Sequence, residues 1–498
     1  MATSNESRPS VLAWLVACCV ATGMVNVWYG HSSVLVTSVS RFDGFQQSRS
    51  SAPNHLLHEP HNEENEPPER QHSPIHPNDT TKTLATLDCR PYGGPNNAQE
   101  MVYWYDIPSD SLYTSPLSPR RQQKQYMTFE PDGGGWNNIR MALETVLGLG
   151  IAMGRTIVLP PEQRMYLLAK DRGKQKTDFG FADFFPMEEL AKDNQGLEII
   201  TMKEFLEAEA MNGHLFDKET GRVSFPPDNR TDWDGQDFKV LKEWLRNVTV
   251  TPLWAPGKCM AAFPASGSHQ DAMALRDMHQ QLMQRGFLKE TVLEDPLPAV
   301  DGLSSERMWE NLAQRHNLCV YDEEMQAAPV LHFMCYHKLR VRMLVHFYAF
   351  LYFEDWREDL WMKRFMRDHV RYRDEIQCAA ARVVQAVRAK ALAHDRASGG
   401  AFDSFHVRRG DFQFKKTRIE ATEIYNNTKD YLKPGATVFI ATDERKKDFF
   451  DPLKEHYNVL FLDDFKEELS GVNTNYYGMI DQLVSSRGRV FFGCWHST

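Results

Sequence analysis

Two adjacent arginines followed by a glycine and an acid are the residues best suited to chemistry in this sequence. Arg408 and Arg409 come directly after a short apolar run that predicts a strand, and His406 lies in that run. A guanidinium keeps its charge and presents planar N–H groups that match phosphate oxygens. Gly410 permits a tight turn, and Asp411 could orient one guanidinium. The segment predicts an anion site; the alternatives are a surface Arg–Asp pair or an exposed adhesive tripeptide.

Polar residues also follow two other predicted strands. Asp443 lies between Thr442 and Glu444, where its carboxylate could accept hydrogen bonds from a base or a ribose. The alternative is a helix cap, with the acids interacting favourably with the helix dipole. Ser497 and Thr498 follow the last predicted strand, and their hydroxyls could bind a phosphate. The sequence stops directly after them, so we expect this domain to be truncated.

A glycine-rich loop is the third candidate. Gly134 and Gly135 precede Asn137 and Asn138, and the apolar periodicity that follows predicts a helix over 136–153. Helix N-termini attract anions because their first N–H groups have no partner within the helix. The loop therefore predicts a second place for an anionic ligand, and the alternative is a simple loop with an asparagine cap.

The last hundred residues alternate between predicted strands and helices, which indicates a parallel, doubly wound α/β sheet. In such sheets ligands bind outside the carboxyl ends of the strands, where the arginines and Asp443 fall. The predicted strands are 404–407, 437–441, 459–462 and 490–493, and the predicted helices are 420–431, 444–456 and 476–486.

The preceding part of the chain is also predicted to be α/β. The helix over 136–153 leads into a short buried strand over 155–159 that prolines end. Two long helical runs are predicted around 331–353 and 361–393. The apolar part of the first, 343–353, is too short to cross a membrane and is assigned to a buried core helix.

An uncharged run at 11–29 predicts a membrane anchor that follows a cytoplasmic tail over 1–10. The alternative is a cleaved signal peptide, and both routes deliver the rest of the chain to the secretory lumen. The stretch 53–77 contains six prolines and several acids, and its only large apolar residues are Leu56, Leu57 and Ile75. Such a composition predicts disorder, so we interpret residues 30–88 as a disordered stem.

Composition and cysteine usage agree with a lumenal globular protein. The net charge of −10 disfavours a nucleic-acid partner. Six cysteines lie outside the apolar run, and six allow 15 pairings, between which the sequence does not choose. They lack C-x-x-C spacing, so we expect no structural zinc. Asparagines in N-x-Ser/Thr sequences, which accept glycans, are Asn78, Asn229, Asn247 and Asn426.

Together these segments resemble the GDP-fucose O-fucosyltransferase family from about residue 127 to the end. The matching stretches are G-G-G-W-N-N-x-R with L-x-x-G-R-T-I-V-L-P-P, then H-V-R-R-G-D-F, F-I-A-T-D-E and F-F-G-C-W-H-S-T. The resemblance implies a GT-B-like fold with two Rossmann-like domains facing a cleft. These are an acceptor-side domain over 89–365 and a donor-nucleotide domain over 366–498. It also implies a single-pass type II protein of the Golgi or endoplasmic reticulum membrane.

The implied reaction is transfer of fucose from GDP-fucose to a hydroxyl acceptor, with inversion and without a metal or other cofactor. The acceptor, a protein Ser/Thr or a glycan, is left open. Two residues are implied to be catalytic. Arg408 matches the arginine that contacts the donor diphosphate and stabilises the departing GDP, and Asn137, in preference to Asn138, matches the loop asparagine. The other residues implied to bind substrate are Gly134, Gly135, Asn138, His406, Arg409, Asp411, Asp443, Ser497 and Thr498.

One departure from the family concerns the general base. Gly134 stands where some members carry a glutamate. Either Asp132 serves as the base, or the reaction proceeds without a side-chain base and depends on stabilisation of the leaving group. The alternatives to this function are a relative that uses another nucleotide deoxysugar, and a non-catalytic, membrane-anchored binding protein.

Overall fold

The computed structural model describes residues 86–118, 124–166, 168, 178–233, 239–284, 308, 312, 315–410 and 418–494. The predicted anchor at 11–29, the stem up to residue 85 and the site residues Asp411, Ser497 and Thr498 lie outside these ranges. No helix within the described ranges has the length and apolar character needed to cross a bilayer.

The described chain divides into two compact units. The larger unit comprises Leu87–Arg382 and Glu468–Asp481, and the smaller unit comprises Val383–Glu467 and Gln482–Ser497. Every pairing between the named strands is parallel. The predicted α/β class with parallel sheets is therefore confirmed.

Two parallel sheets form the framework of the larger unit. Its strands are β1 Tyr126–Phe129, β2 Thr156–Leu159, β3 Ile199–Thr201, β4 Cys259–Phe263, β5 Asn317–Val320, β6 Val330–Phe333 and β7 Leu351–Phe353. One sheet has the order β3-β2-β1-β6 and the other the order β5-β4-β7. The carboxyl ends of β1 and β6 thus lie side by side, because Phe129 pairs in register with Phe333.

Nine α-helices of the described chain begin before the smaller unit. They are α1 Trp136–Met153, α2 Met187–Lys192, α3 Met202–Phe205, α4 Lys239–Val248, α5 His269–Gln284, α6 Glu323–Ala327, α7 Phe347–Phe350, α8 Trp356–His369 and α9 Asp374–His394. Helix α1 has the predicted bounds. Its Gly150 allows close packing on the sheet, since a Cβ there would lie 2.5 Å from Ile157.

The smaller unit contains a single described sheet in the order β10-β9-β8-β11. Its strands and the remaining α-helices of the described chain are β8 Asp403–Val407, β9 Thr437–Thr442, β10 Asn458–Leu460, β11 Phe491–Phe492, α10 Ala421–Thr428, α11 Asp451–Lys454 and α12 Tyr477–Ser485. The four predicted strands are confirmed to within two residues. Their apolar side chains, among them Phe405, Val438 and Ile440, form one buried cluster with Phe450.

The helix predicted over 331–353 is wrong. Val330–Phe333 forms strand β6 beside β1, and Leu351–Phe353 forms strand β7 beside β4. Only Phe347–Phe350 between them is α-helical. The periodicity of a short apolar run does not distinguish a buried strand from a buried helix. The two ends of this run form strands because they pair with β1 and β4 in the buried parallel sheets.

The helix predicted over 361–393 is two helices, Trp356–His369 and Asp374–His394. The chain leaves the first after His369, where Arg371 turns back to donate its N–H to the His369 carbonyl at 2.9 Å. The side chain of Arg371 then pairs with Asp374 at 2.6 Å as the second helix begins. The sequence alone predicted one continuous helix, because the helical pattern of apolar residues gave no sign of a break at this point.

Four of the six cysteines form disulfides. Cys89 pairs with Cys378, and Cys259 pairs with Cys319 on the neighbouring strand. Cys335 and Cys494 carry free thiols. The even number of cysteines therefore did not mean complete pairing.

Candidate functional site

The carboxyl ends of β8 and β9 bring the predicted anion-binding residues together. Val407 pairs in register with Thr442, so the residues that follow the two strands are neighbours. Arg408 Nε lies 3.2 Å from Asp443 Oδ2, and the backbone N–H of Arg409 donates to Asp443 Oδ1 at 2.7 Å. Asp443 thus fixes the turn that presents both arginines, and it does so as a side chain bound to that turn rather than as a helix cap.

Arg409 is held by contacts on several sides. Its Nε lies 3.2 Å from Glu444 Oε2, and its Nη1 donates to the carbonyl of Ile419 at 2.9 Å. The guanidinium carbon also lies 3.7 Å from the centre of the Phe449 ring, within cation–π range. The guanidinium of Arg409 is therefore held by contacts within the protein, and we assign Arg409 to positioning the turn that carries Arg408.

Gly410 is required by the close approach of Asp443. A Cβ built on Gly410 would lie 2.5 Å from Asp443 Oδ2, well inside van der Waals contact. Any side chain there would displace the carboxylate from Arg408. The glycine that predicted a tight turn is confirmed as part of the same arrangement.

A pocket of about 540 Å³ that opens to solvent lies beside Arg408 in the smaller unit. Its wall is largely apolar. Burial, followed by the charge of Arg408, lowers the pKa of His406 in this wall, so the imidazole is neutral at physiological pH. The lining residues are Phe405, His406, Val407, Arg408, Arg409, Ile419, Ile424, Asn427, Thr428, Phe492, Gly493 and Cys494.

The glycine-rich loop of the larger unit is fixed by Asp132. The backbone N–H of Gly134 donates to Asp132 Oδ1 at 2.7 Å, and Arg342 binds both carboxylate oxygens at 2.7 and 2.8 Å. The Asp132 side chain is 1% exposed. Both oxygens of this buried carboxylate already accept hydrogen bonds from the protein, which argues against Asp132 as the general base.

The two asparagines of the loop lie in the first turn of α1 and are half-buried. Asn138 is close to the loop, since a Cβ built on Gly134 would lie 2.5 Å from its Nδ2. Gly135 occupies the N-cap position with extended backbone. The structure thus gathers Gly134, Gly135 and Asn138, with Asn137 beside them at the helix start.

A buried charge network at the ends of β1 and β6 was not foreseen from the sequence. Glu130 Oε1 accepts from Arg246 Nε at 2.7 Å and from His332 Nε2 at 3.2 Å, and His332 Nδ1 lies 2.9 Å from Thr128 Oγ1. Burial opposes ionisation of Glu130, but the hydrogen bonds and charges of its partners outweigh it and lower its pKa to about 2. Burial lowers the pKa of His332 from its ordinary value, although its hydrogen bond to Glu130 opposes this.

A local signal for this network does exist. Glu130 and Asp132 directly follow the apolar run Y-M-T-F, which is the pattern of acids at a strand end. Both carboxylates and the Cys335 thiol lie in the wall of a small pocket of about 250 Å³ with otherwise mainly apolar lining. The partners Arg246, His332 and Arg342 are remote in sequence and gave no signal.

The described ranges contain no group of three or more His, Cys, Asp or Glu residues placed to hold a metal ion. The third predicted phosphate-binding segment, Ser497 and Thr498, and the predicted acid Asp411 fall outside the described residues.

An arginine at the carboxyl end of a parallel strand, above an apolar pocket, defines an α/β protein suited to a phosphorylated ligand. The sequence profile of the GDP-fucose protein O-fucosyltransferase family matches residues 126–498. The chain belongs to this family. Membership supports transfer of fucose from GDP-fucose and confirms the resemblance seen in the motifs.

Solved structures similar to this chain include fucosyltransferase NodZ from Bradyrhizobium, at 12% identity over 74% of this chain and 87% of that chain, with a TM-score of 0.32. NodZ alpha-1,6-fucosyltransferase co-crystallized with GDP has the same identity and coverage and a TM-score of 0.31. Because the identity and the TM-scores are low, the assignment of the chain to the fucosyltransferase family rests on the sequence profile alone. A comparison with curated proteins gives no match.

Proposed function

We propose that this protein transfers fucose from GDP-fucose to a hydroxyl of an acceptor protein or glycan, with inversion and without a metal ion. The observation that carries the proposal is Arg408, held by Asp443 at the mouth of the pocket in the smaller unit. Family membership supplies the donor and the class of reaction.

Departure of GDP places negative charge on the oxygens of the β-phosphate as the bond to the sugar breaks. We assign Arg408 to this charge, because a fixed guanidinium needs little reorganisation when the charge develops. One such preorganised donor accounts for roughly 10²–10³ in rate. Arg409 and Asp443 hold the turn that carries Arg408. His406, being neutral, adds a polar group to the wall without a competing charge.

The acceptor hydroxyl attacks the anomeric carbon from the face opposite the departing diphosphate, which inverts the configuration. The new C–O bond forms as the bond to the phosphate breaks, and the hydroxyl proton passes to the departing diphosphate. We favour this route without a side-chain base because both oxygens of Asp132 are engaged by Arg342. We assign Asn137 and Asn138 to the positioning of the reacting groups.

GDP release from GDP-fucose by the purified full-length protein tests the proposal. We expect release that depends on the acceptor and persists in EDTA. A rise in melting temperature with GDP, and none with UDP, would identify the nucleotide, because a ligand of the native state stabilises it by mass action. Stabilisation by UDP alone would indicate another nucleotide sugar instead.

A second candidate is a binding protein that no longer turns over. The ion pair between Asp132 and Arg342 favours this second candidate, because the glycine-rich loop then has no free Asp132 carboxylate to act as a general base. Sustained GDP release in the presence of acceptor excludes this candidate. Binding of GDP-fucose without release would establish it.

We also propose that the protein is a type II membrane protein of the Golgi or endoplasmic reticulum, with the folded units in the lumen. The uncharged run at 11–29 supports this location. A size shift on removal of N-glycans, together with protection of the folded units from protease in intact vesicles, is the expected result. A cytosolic, unglycosylated chain would contradict it.

A further inference from the structure

The hydroxyl of Thr442, the last residue of β9, binds the backbone on both sides of the Arg408–Asp443 pair. Its Oγ1 donates to the carbonyl of Val407 at 2.7 Å and accepts the backbone N–H of Glu444 at 3.0 Å. Val407 directly precedes Arg408 in the chain, and Glu444 directly follows the aspartate of the pair. One side-chain oxygen therefore joins the two segments that carry the ion pair.

These hydrogen bonds lie where the regular pairing of β8 with β9 ends. Val407 and Thr442 are the last residues of the two strands and form their last pair in register. Beyond this pair the strand ladder no longer holds the backbone, so its path depends on side-chain hydrogen bonds. Asp443 supplies one of them by accepting the backbone N–H of Arg409 at 2.7 Å. Thr442 supplies two more, which fix the ends of the two strands to each other.

We propose that Thr442 is a positioning residue for the transfer reaction, whose hydroxyl sets the direction in which Arg408 meets the departing diphosphate. The inference rests on the proposed function, because that function assigns Arg408 to the charge on the β-phosphate. A charged donor stabilises a developing charge best when its position is fixed before the reaction. A loosened strand end should therefore slow the reaction even though the guanidinium is still present.

The variant Thr442→Val tests this role, because it removes the hydroxyl and keeps the shape of the side chain. Valine is favoured in strands, so we expect the variant to fold. Its kcat/KM for GDP-fucose should fall about three- to tenfold, which is the equivalent of one lost hydrogen bond. Acceptor-dependent GDP release provides the measurement. Thr442→Ser, which retains the hydroxyl, should restore most of the wild-type kcat/KM.

A double variant tests whether Thr442 acts through Arg408. The effects of two substitutions add when the residues are independent and fail to add when one residue acts through the other. In the Arg408→Ala background, Thr442→Val should change kcat/KM less than about twofold, because the guanidinium that the hydroxyl positions is absent. A purely structural role would give the same loss in both backgrounds.

A matched threonine lies at the opposite end of the same strand and provides the control. Thr437 is the first residue of β9, is buried, and accepts a hydrogen bond from Asn458 Nδ2 at 3.0 Å. Thr437→Val removes this hydroxyl far from the strand ends that carry Arg408. It should lower the melting temperature by a few degrees, at least as much as Thr442→Val does, and leave kcat/KM unchanged.

Three results would overturn the inference. They are wild-type kcat/KM in Thr442→Val, an undiminished further loss when Thr442→Val is added to Arg408→Ala, and an equal loss of kcat/KM in Thr437→Val. Absence of acceptor-dependent GDP release from the unmodified protein would overturn the proposed function, and this inference with it. An active wild-type protein therefore separates failure of the inference from failure of the proposed function.

Discussion

The ends of β8 and β9 and the ends of β1 and β6 use the same element, the carboxyl edge of a parallel sheet, for opposite purposes. At β8 an arginine lies at the mouth of a pocket, and the side chains of Arg408 and Asp443 are 26% and 27% exposed. At β1 the charged centre is a carboxylate, Glu130, which is 2% exposed and surrounded by Arg246 and His332.

This contrast distinguishes charged side chains that can bind a ligand from charged side chains that stabilise the fold. A cation that must meet a phosphate has to remain accessible, whereas a buried carboxylate is stable only if the protein supplies its partners. We therefore expect substitutions at β1 to change stability and substitutions at β8 to change turnover. The following predictions test that division.

The largest effect is expected for Glu130→Ala. Removing this carboxylate leaves Arg246 and His332 without their buried partner, which should cost roughly 3–5 kcal/mol of unfolding free energy. Chemical denaturation measures it. Glu444→Gln, which removes a partly exposed partner of Arg409, is the control and should cost about 1 kcal/mol or less. Equal costs at the two glutamates would remove the distinction between the regions.

The second prediction concerns the pH dependence of that stability. The Glu130 pKa is depressed from 4.5 to about 2, so its contribution is full above about pH 5 and is lost as the pH falls towards 2. A shift of this size corresponds to about 3 kcal/mol. The difference in unfolding free energy between the wild type and Glu130→Gln should therefore narrow between pH 5 and pH 2. A constant difference across this range would contradict the ionised, partnered state of Glu130.

Arg408→Ala is expected to reduce turnover of GDP-fucose at least ~10²-fold, about 2.7 kcal/mol in activation free energy, with an unchanged melting temperature. The physical reason is loss of the cation assigned to the leaving group. Steady-state GDP release provides the measurement, and Arg396→Ala, at an exposed arginine of the same unit, is the matched control. Near-normal turnover in Arg408→Ala would show that the accessible charge at β8 is not used in the reaction.

The smallest effect is expected for Gly410→Ala. The added Cβ would push the Asp443 carboxylate away from Arg408, and KM for GDP-fucose should rise a few-fold, roughly 1 kcal/mol, with little change in stability. Gly478→Ala is the control, since a Cβ there would meet nothing within 4 Å. If both alanine variants kept the original KM, the tight approach of Gly410 to Asp443 would have no role in donor binding.

Much of the smaller unit could be predicted from its sequence. The strand over 404–407 and the arginines after it follow from local alternation and turn residues, and the structure pairs Arg408 with Asp443 as the rule for parallel sheets suggests. The larger unit was harder. The run 331–353 reads as a helix, yet its ends become strands because β1 and β4 lie beside them.

One contact of the candidate site was out of reach of sequence reasoning. Asp132 could be predicted as an acid near the loop, but its engagement depends on Arg342, which lies 210 residues away in the chain. Such a partner carries no local signal.

The sequence alone determined the order of strands and turns in the smaller unit, the residue types at their ends, and the family to which the chain belongs. These features depend on neighbours a few residues apart, whose periodicity and turn chemistry are written locally. The tertiary structure decided which charged side chains are accessible to a ligand and which are buried and paired within the protein. Burial and pairing depend on segments remote in the chain, as with Glu130, Arg246 and His332, and no local pattern specifies them.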